Sequence, residues 1–252
     1  MKKILKILKS CIEIILYVLF PKICFHCEKP LEYHSSEFLC KSCFSKAKLI
    51  DGLVCKKCGL PLESGGEHCY NCKNSKRKIY FDFIRGTVEY NEPIKTLIHE
   101  FKYKQKYYLK NYITEKFLIN WWLKNKNIFP EIDFVCCVPM HILKQILRGY
   151  NQSYLLAFEF SKKLNLNFFP DILLRKKLTP SQSKLSKEQR TLNIQNAFKV
   201  NKKYKEFIKG KNILIIDDVA TTTETINQCA KILKEAKANL VFGLVLARDI
   251  LK

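Results

Sequence analysis

The chain has 252 residues, room for one α/β domain of ordinary size and a small module; 47% hydrophobic and 12% aromatic content with 8 Gly and 8 Pro excludes disordered and collagen-like classes. Forty-five Lys and Arg against 23 Asp and Glu leave a formal charge of +22, beyond what solubility requires, so a polyanionic partner such as nucleic acid or a membrane surface is expected. Only six of the cations are Arg (Arg77, Arg85, Arg148, Arg175, Arg190 and Arg248), so Lys is the default base, a bias that coding composition also produces.

The opening MKKILKILKSCIEIILYVLF sets Leu5, Leu8, Ile12, Ile15, Leu16 and Leu19 at helical spacing, with Lys2, Lys3, Lys6 and Lys9 opposite. This predicts an amphipathic helix over 1–20, stopped by Pro21. No membrane span is expected, because Glu13 interrupts the helix and the uncharged run from Ile14 to Phe20 is too short. Two placements stay open: packing on the chain's own domain, or lying on an anionic membrane face. The segment lacks a small-residue cleavage site, so a cytoplasmic protein is expected, with peripheral contact at the inner membrane face left open.

Eight of the 12 cysteines form four Cys-x-x-Cys pairs within 21–75: Cys24 and Cys27, Cys40 and Cys43, Cys55 and Cys58, Cys69 and Cys72. Two thiolates from one turn fill half the shell of a tetrahedral ion, so four turns predict a double zinc ribbon with two structural zinc ions. Disulfides would need an oxidising compartment. Sequential grouping is preferred over interleaved or nested grouping, because the gaps of twelve residues after Cys27 and ten after Cys58 each suit a short hairpin. His26 and His68 are read as solvated turn residues, and Cys11, Cys136, Cys137 and Cys229 as small buried hydrophobes.

After a basic linker, KNSKRK, residues 80–252 read as one α/β domain. Residues 85–90 are strand-like. Residues 93–124 are helical, and between Lys95 and Asn127 eight Lys and eight aromatic residues accompany two Glu. That mixture fits a single-strand binder with rings for base stacking, and equally an amphipathic helix pair with rings inward. Residues 134–138 and 213–216 are continuous apolar runs, the second followed by Asp217, Asp218, a Thr-rich turn, a helix over 225–236 and a strand over 240–246. This βαβ pattern predicts a parallel sheet with helices on both faces. Ligands of such sheets bind beyond the carboxyl ends of the strands, where helix N–H groups meet phosphate. Thr221, Thr222, Thr223 and Thr225 add hydroxyl donors beside the backbone of Ala220, and Asp217 with Asp218 suits ribose hydroxyls or, through water, magnesium.

The segment ILIIDDVATTTET resembles the phosphoribosyl pyrophosphate (PRPP) motif of type I phosphoribosyltransferases, in which a strand runs into two acidic residues and a TTGxT loop. The rest of the chain resembles the ComF family of competence-associated proteins: LFPKICFHC, EFKYKQKYYL, VPMHILKQILRGYNQSYLLA and LLRKKLTPSQSKLSKEQRTLNIQNAF follow in that family's order. The resemblance implies a type I phosphoribosyltransferase-like sheet behind a double zinc ribbon and a role with single-stranded DNA in natural transformation. It also implies a PRPP site using magnesium. Thr221 to Thr225 would cradle the 5-phosphate, the loop after Val138 would approach the pyrophosphate, and 175–190 would be a mobile loop. Arg148, Arg175 and Arg190 fall in these segments, where a planar guanidinium suits phosphate. Two departures bear on the site: Thr223 stands where the motif has Gly, and Glu224 puts a carboxylate beside the phosphate position, so weakened PRPP binding is expected. An active phosphoribosyltransferase, with Asp217 and Asp218 catalytic, is the second hypothesis. A zinc-ribbon module docking on a DNA-translocation helicase or membrane channel protein is the third.

Overall fold

The computed structural model describes residues 17–250 apart from 20, 33, 34, 64, 76, 179–193 and 195. Of the helix expected over 1–20, only residues 17–19 are described, and they are helical. Arg190, Cys11 and most of the loop expected over 175–190 lie outside the described residues.

Two knuckles of matching sequence, CFHCEKPL and CKKCGLPL, open the described chain. In each, an N–H returns to the first Cys carbonyl, Glu28 to Cys24 at 2.9 Å and Gly59 to Cys55 at 3.0 Å, across a residue with φ near +61° or +67°. Each knuckle is followed by a four-residue helix, α1 (Lys41–Phe44) and α2 (Tyr70–Lys73), with the first Cys of the second pair at its N-cap, Cys40 or Cys69, and the other, Cys43 or Cys72, within it.

The main sheet has strands β1 (Phe83–Glu89), β2 (Phe134–Cys137), β5 (Asn212–Ala220) and β6 (Leu240–Arg248), all parallel, in the order β1-β6-β5-β2. Helix α3 (Ile94–Tyr103) precedes α4 (Leu109–Ile113), which runs through a π turn over Thr114–Ile119 into α5 (Asn120–Asn125), so the expected helical stretch is broken at 104–108. After β2 come α6 (Ile142–Arg148) and α7 (Gln152–Leu164); β3 (Leu173–Arg175) and β4 (Phe198–Val200) form an antiparallel pair, and α8 (Glu224–Glu235) links β5 to β6. The period-two alternation of a strand explains the layering. Leu214 and Ile216 of β5 join Phe101, Phe117, Trp122 and Phe160 on one face, whereas Ile213 and Ile215 join Ile226, Ala230 and Leu233 of α8 on the other. The expected parallel sheet with a helical layer on each side is therefore observed. Strand β5 runs four residues further than its apolar core, so Asp217 and Asp218 lie within the strand rather than after it.

Of the aromatic residues over 95–127, Phe101, Tyr112, Phe117, Trp121 and Trp122 are buried, while Tyr103, Tyr107 and Tyr108 are exposed. Most of the rings thus build core, and three remain on the surface.

Candidate functional site

Four Sγ atoms from Cys24, Cys27, Cys40 and Cys43 lie within 4.8 Å of one another, as do those of Cys55, Cys58, Cys69 and Cys72. The sequential grouping is the one the fold assembles, and no His joins either set. Four clustered sulfurs are the donor set of a closed structural zinc site. His26 instead meets Thr96 at 3.2 Å. Within the second set, hydrogen bonding from Cys72 and the nearby Arg248 charge pull Cys58 down against the opposing effect of burial, while the hydrogen bond to Cys58 pushes Cys72 up and burial pushes Cys69 up. Cys136, Cys137 and Cys229 are buried, and burial raises all three, Cys137 to about 12, which suits inert core thiols.

At the carboxyl ends of β2 and β5 a cavity of about 390 Å³ opens. Its floor holds Asp217, Asp218, Thr221 and Thr225; its walls carry Lys102, Lys144, Arg148 and Arg175; Tyr90 and Tyr103 form a rim. Asp217 accepts from Ser153 Oγ at 2.7 Å and from the Asp218 N–H at 2.9 Å. Burial first, and Asp218 second, push its carboxyl up to about 7 despite those bonds. Asp218 pairs with Lys102 Nζ at 2.9 Å. Burial alone would lower Lys102, but the Asp218 carboxylate outweighs it and raises it. Arg148 donates to Gln152 at 2.8 Å and lies over the Tyr103 ring at 4.9 Å. Arg175, on the last residue of β3, lies over Phe198 at 5.3 Å. A second hollow of about 290 Å³, lined by Lys102, Tyr103, Gln105, Lys144, Leu147 and Arg148, adjoins this wall.

Both sequence departures lie in the turn between β5 and α8. Thr223 has φ +62° and ψ +4°, the left-handed conformation that Gly would take at little cost and that a β-branched residue resists. Glu224 is buried and faces away from the Asp217 cavity: its carboxylate pairs with Arg77 and accepts from Gln228 at 2.8 Å. Sequence reasoning put Ala220, Thr221, Thr222, Thr223 and Thr225 beside the acid pair; Thr221 and Thr225 line the cavity, whereas Thr222 and Thr223, again with Thr221, line a neighbouring hollow against the second ribbon.

Among residues not singled out from sequence, Lys102, Lys144 and Ser153 line the cavity, and Arg77 and Arg248 hold the turn from behind. The scarcity of Arg was the available signal for the last two. The linker is likewise more than a spacer, since Asn227 of α8 accepts from the Tyr80 N–H at 2.8 Å and donates to Lys78 O at 3.1 Å.

Residues 15–73 match the family model described as a double zinc ribbon domain. The chain is 29% identical over 213 residues to competence protein F of Haemophilus influenzae, covering 84% of this chain and 90% of that protein. Identity to competence protein ComFC of Bacillus subtilis is 29% over 219 residues, 84% and 85% of the two chains. To DNA utilization protein YhgH of Escherichia coli strain K12 it is 26% over 231 residues, 91% and 98%. Among solved structures, a glutamine PRPP amidotransferase from B. subtilis overlaps with 13% identity and a TM-score of 0.33, over 55% of this chain and 25% of that one, so this chain spans about a quarter of that enzyme. A Trypanosoma cruzi hypoxanthine phosphoribosyl transferase overlaps with 12% identity and a TM-score of 0.32, over 58% and 66%. At these scores neither overlap bears on the ligand.

Proposed function

We propose that this chain, a homologue of the ComF family of competence-associated proteins, acts in DNA uptake by handling single-stranded DNA and carries a PRPP-type phosphate site at the Asp217–Thr225 cavity. The observation that carries the reading is the convergence of two acids, two Thr hydroxyls and four cationic side chains on one cavity at the carboxyl edge of the sheet. Thr221 and Thr225, which line the cavity, would donate to phosphate oxygens. Arg148 and Arg175 would meet further negative charge. Asp217 and Asp218 would hold magnesium, which supplies charge neutralisation at the pyrophosphate, and Lys102 must then leave or share Asp218. The adjoining hollow, where Arg148 stacks on Tyr103 beside Lys144, is a basic and aromatic track of the kind that single strands follow.

Among the described residues no helix is long and apolar enough to cross a membrane. Contact of the amino-terminal segment with a bilayer remains a proposal, checked by vesicle flotation before and after removal of residues 1–16.

Calorimetric titration of the zinc-loaded chain with PRPP and magnesium tests the phosphate site. Binding abolished by Asp218→Asn supports it, and no heat from a folded, zinc-replete chain refutes it. Pyrophosphate release on adding an acceptor base would promote the transferase reading. For DNA, affinity for a single strand should fall steeply with salt and depend little on sequence. A flat salt response would remove the DNA role.

A further inference from the structure

Two arginines bind the backbone and side chains of the 220–224 turn from the ribbon side. Arg248, 5% exposed at the end of β6, donates through Nη1 to Ala220 O at 2.8 Å and Thr221 O at 2.5 Å, and through Nε to Cys58 O at 3.3 Å, so one guanidinium bridges the turn and a thiolate-bearing knuckle. Arg77 donates through Nη2 to Thr222 O and Thr223 Oγ1, both at 2.9 Å, and pairs with Glu224 through Nη1. The knuckle is seated on the sheet as well: Ile84 N donates to Lys57 O at 2.8 Å, and Gly59 lies so close that a Cβ there would meet Ile84 O at 2.5 Å. Room for Arg248 comes from Gly86, whose missing Cβ would stand 2.7 Å from the Arg248 Cβ.

These contacts answer a physical need. A left-handed Thr is strained, and a buried Glu carboxylate without a partner is costly. Arg77 meets both at once, because its planar fork reaches the carbonyl before Thr223, the hydroxyl of Thr223 and the carboxylate after it. Neither arginine lines the Asp217 cavity.

We propose that Arg77 and Arg248 are positioning residues: Arg77 holds the Thr221–Thr223 turn with Thr223 left-handed, and Arg248 joins that turn to the second four-cysteine site. Zinc at Cys55, Cys58, Cys69 and Cys72 thereby sets the affinity of the turn for a phosphate monoester. The affinity half rests on the phosphate reading above; the positioning half does not.

The test uses the full zinc-loaded chain and two readouts, amide hydrogen exchange across 221–225 without ligand and calorimetric titration with PRPP and magnesium. Arg77→Ala should keep two zinc ions per chain, speed exchange at the turn about tenfold and weaken PRPP about tenfold. Arg77→Lys keeps a charge for Glu224 but not the fork, and should recover less than half of either effect. In a Thr223→Gly background the left-handed residue is unstrained but Glu224 still loses its cation, so adding Arg77→Ala should change both readouts by less than it does in the Thr223 chain. Cys72→Ser should drop zinc to one per chain and speed turn exchange as Arg77→Ala does. Turn exchange unchanged in Arg77→Ala, or an Arg77→Ala effect of equal size in the Thr223→Gly background, overturns the positioning role. Unchanged turn exchange in a Cys72→Ser chain that has lost one zinc overturns the link to the metal. Should the unmutated chain take no PRPP, the phosphate reading falls while exchange still decides the positioning.

Discussion

The two zinc ribbons begin from nearly the same sequence and end in different kinds of contact. Cys24, Leu31, Leu39 and Cys43 of the first belong to the same core as Phe101, Phe117 and Trp122. Its rings pack on the helical layer, Phe38 on Tyr112 at 5.2 Å and Phe44 on Phe117 at 5.8 Å. The second ribbon keeps a small cluster of its own, Cys55, Cys58 and Cys69 with Leu60 and Leu62, and meets the sheet through Arg85, Arg248 and backbone hydrogen bonds. Apolar burial is non-directional and strong, which makes the first ribbon a structural wall. Hydrogen bonds are directional and individually modest, which lets the second ribbon fix the shape of a neighbouring turn.

The largest expected break in this contrast comes from the cysteines. Cys43→Ser should abolish a soluble fold, since structural zinc contributes on the order of 10 kcal/mol to such modules and this one shares the main core. Cys72→Ser should leave the circular dichroism of the α/β domain intact. Equal loss of soluble yield in the two variants would erase the distinction.

Gly59→Ala comes next. Left-handed strain and the contact with Ile84 O should together cost about 3 kcal/mol in denaturant unfolding and unseat the second ribbon. An unchanged midpoint would show that the knuckle is not seated on β1 by close approach.

The site side of the turn should titrate. Because Asp217 has a folded value of about 7 against an ordinary 3.8, the folded chain retains a proton that the unfolded chain releases above pH ~4. Its stabilising contribution is complete below that pH and is lost as pH rises through about 7, with a slope approaching 1.4 kcal/mol per pH unit in between. Urea unfolding from pH 4.5 to 7.5 should therefore show a term that Asp217→Asn removes. Parallel profiles for the two chains would contradict the burial of an ionisable Asp217.

The smallest effect belongs to Glu28, which occupies in the first knuckle the left-handed position that Gly59 fills in the second. Glu28→Gly should raise the unfolding free energy by about 0.5 kcal/mol, with no change at the turn. A loss instead would mean that the Glu28 side chain has a role the backbone does not explain.

Much of the fold was legible because local chemistry repeats. Cys-x-x-Cys spacing announces its ligand geometry, and the run ILII before Asp217 announces a strand buried on both faces. The aromatic residues over 95–127 were ambiguous for a matching reason: a ring that stacks on a base and a ring that packs in a core look alike in one dimension, and only the register of α3 to α5 against β5 separates Trp122 from Tyr108. The helix expected over 225–236 starts at Glu224, one residue earlier, with the Glu224 side chain held by Arg77 and Gln228.

What the sequence determined by itself was therefore the covalent and periodic part: eight sulfurs in four Cys-x-x-Cys pairs, a βαβ unit, an acid pair at a strand end, and a Thr where the motif has Gly. Only the tertiary structure decided the polar closures, Arg77 with Glu224 across 147 residues, Arg248 with the knuckle carbonyl of Cys58 across 190, and Lys102 with Asp218. Long-range ion pairs and side-chain bonds to carbonyls leave no periodic trace along a chain, since they depend on where folded elements bring charges together rather than on spacing between neighbours.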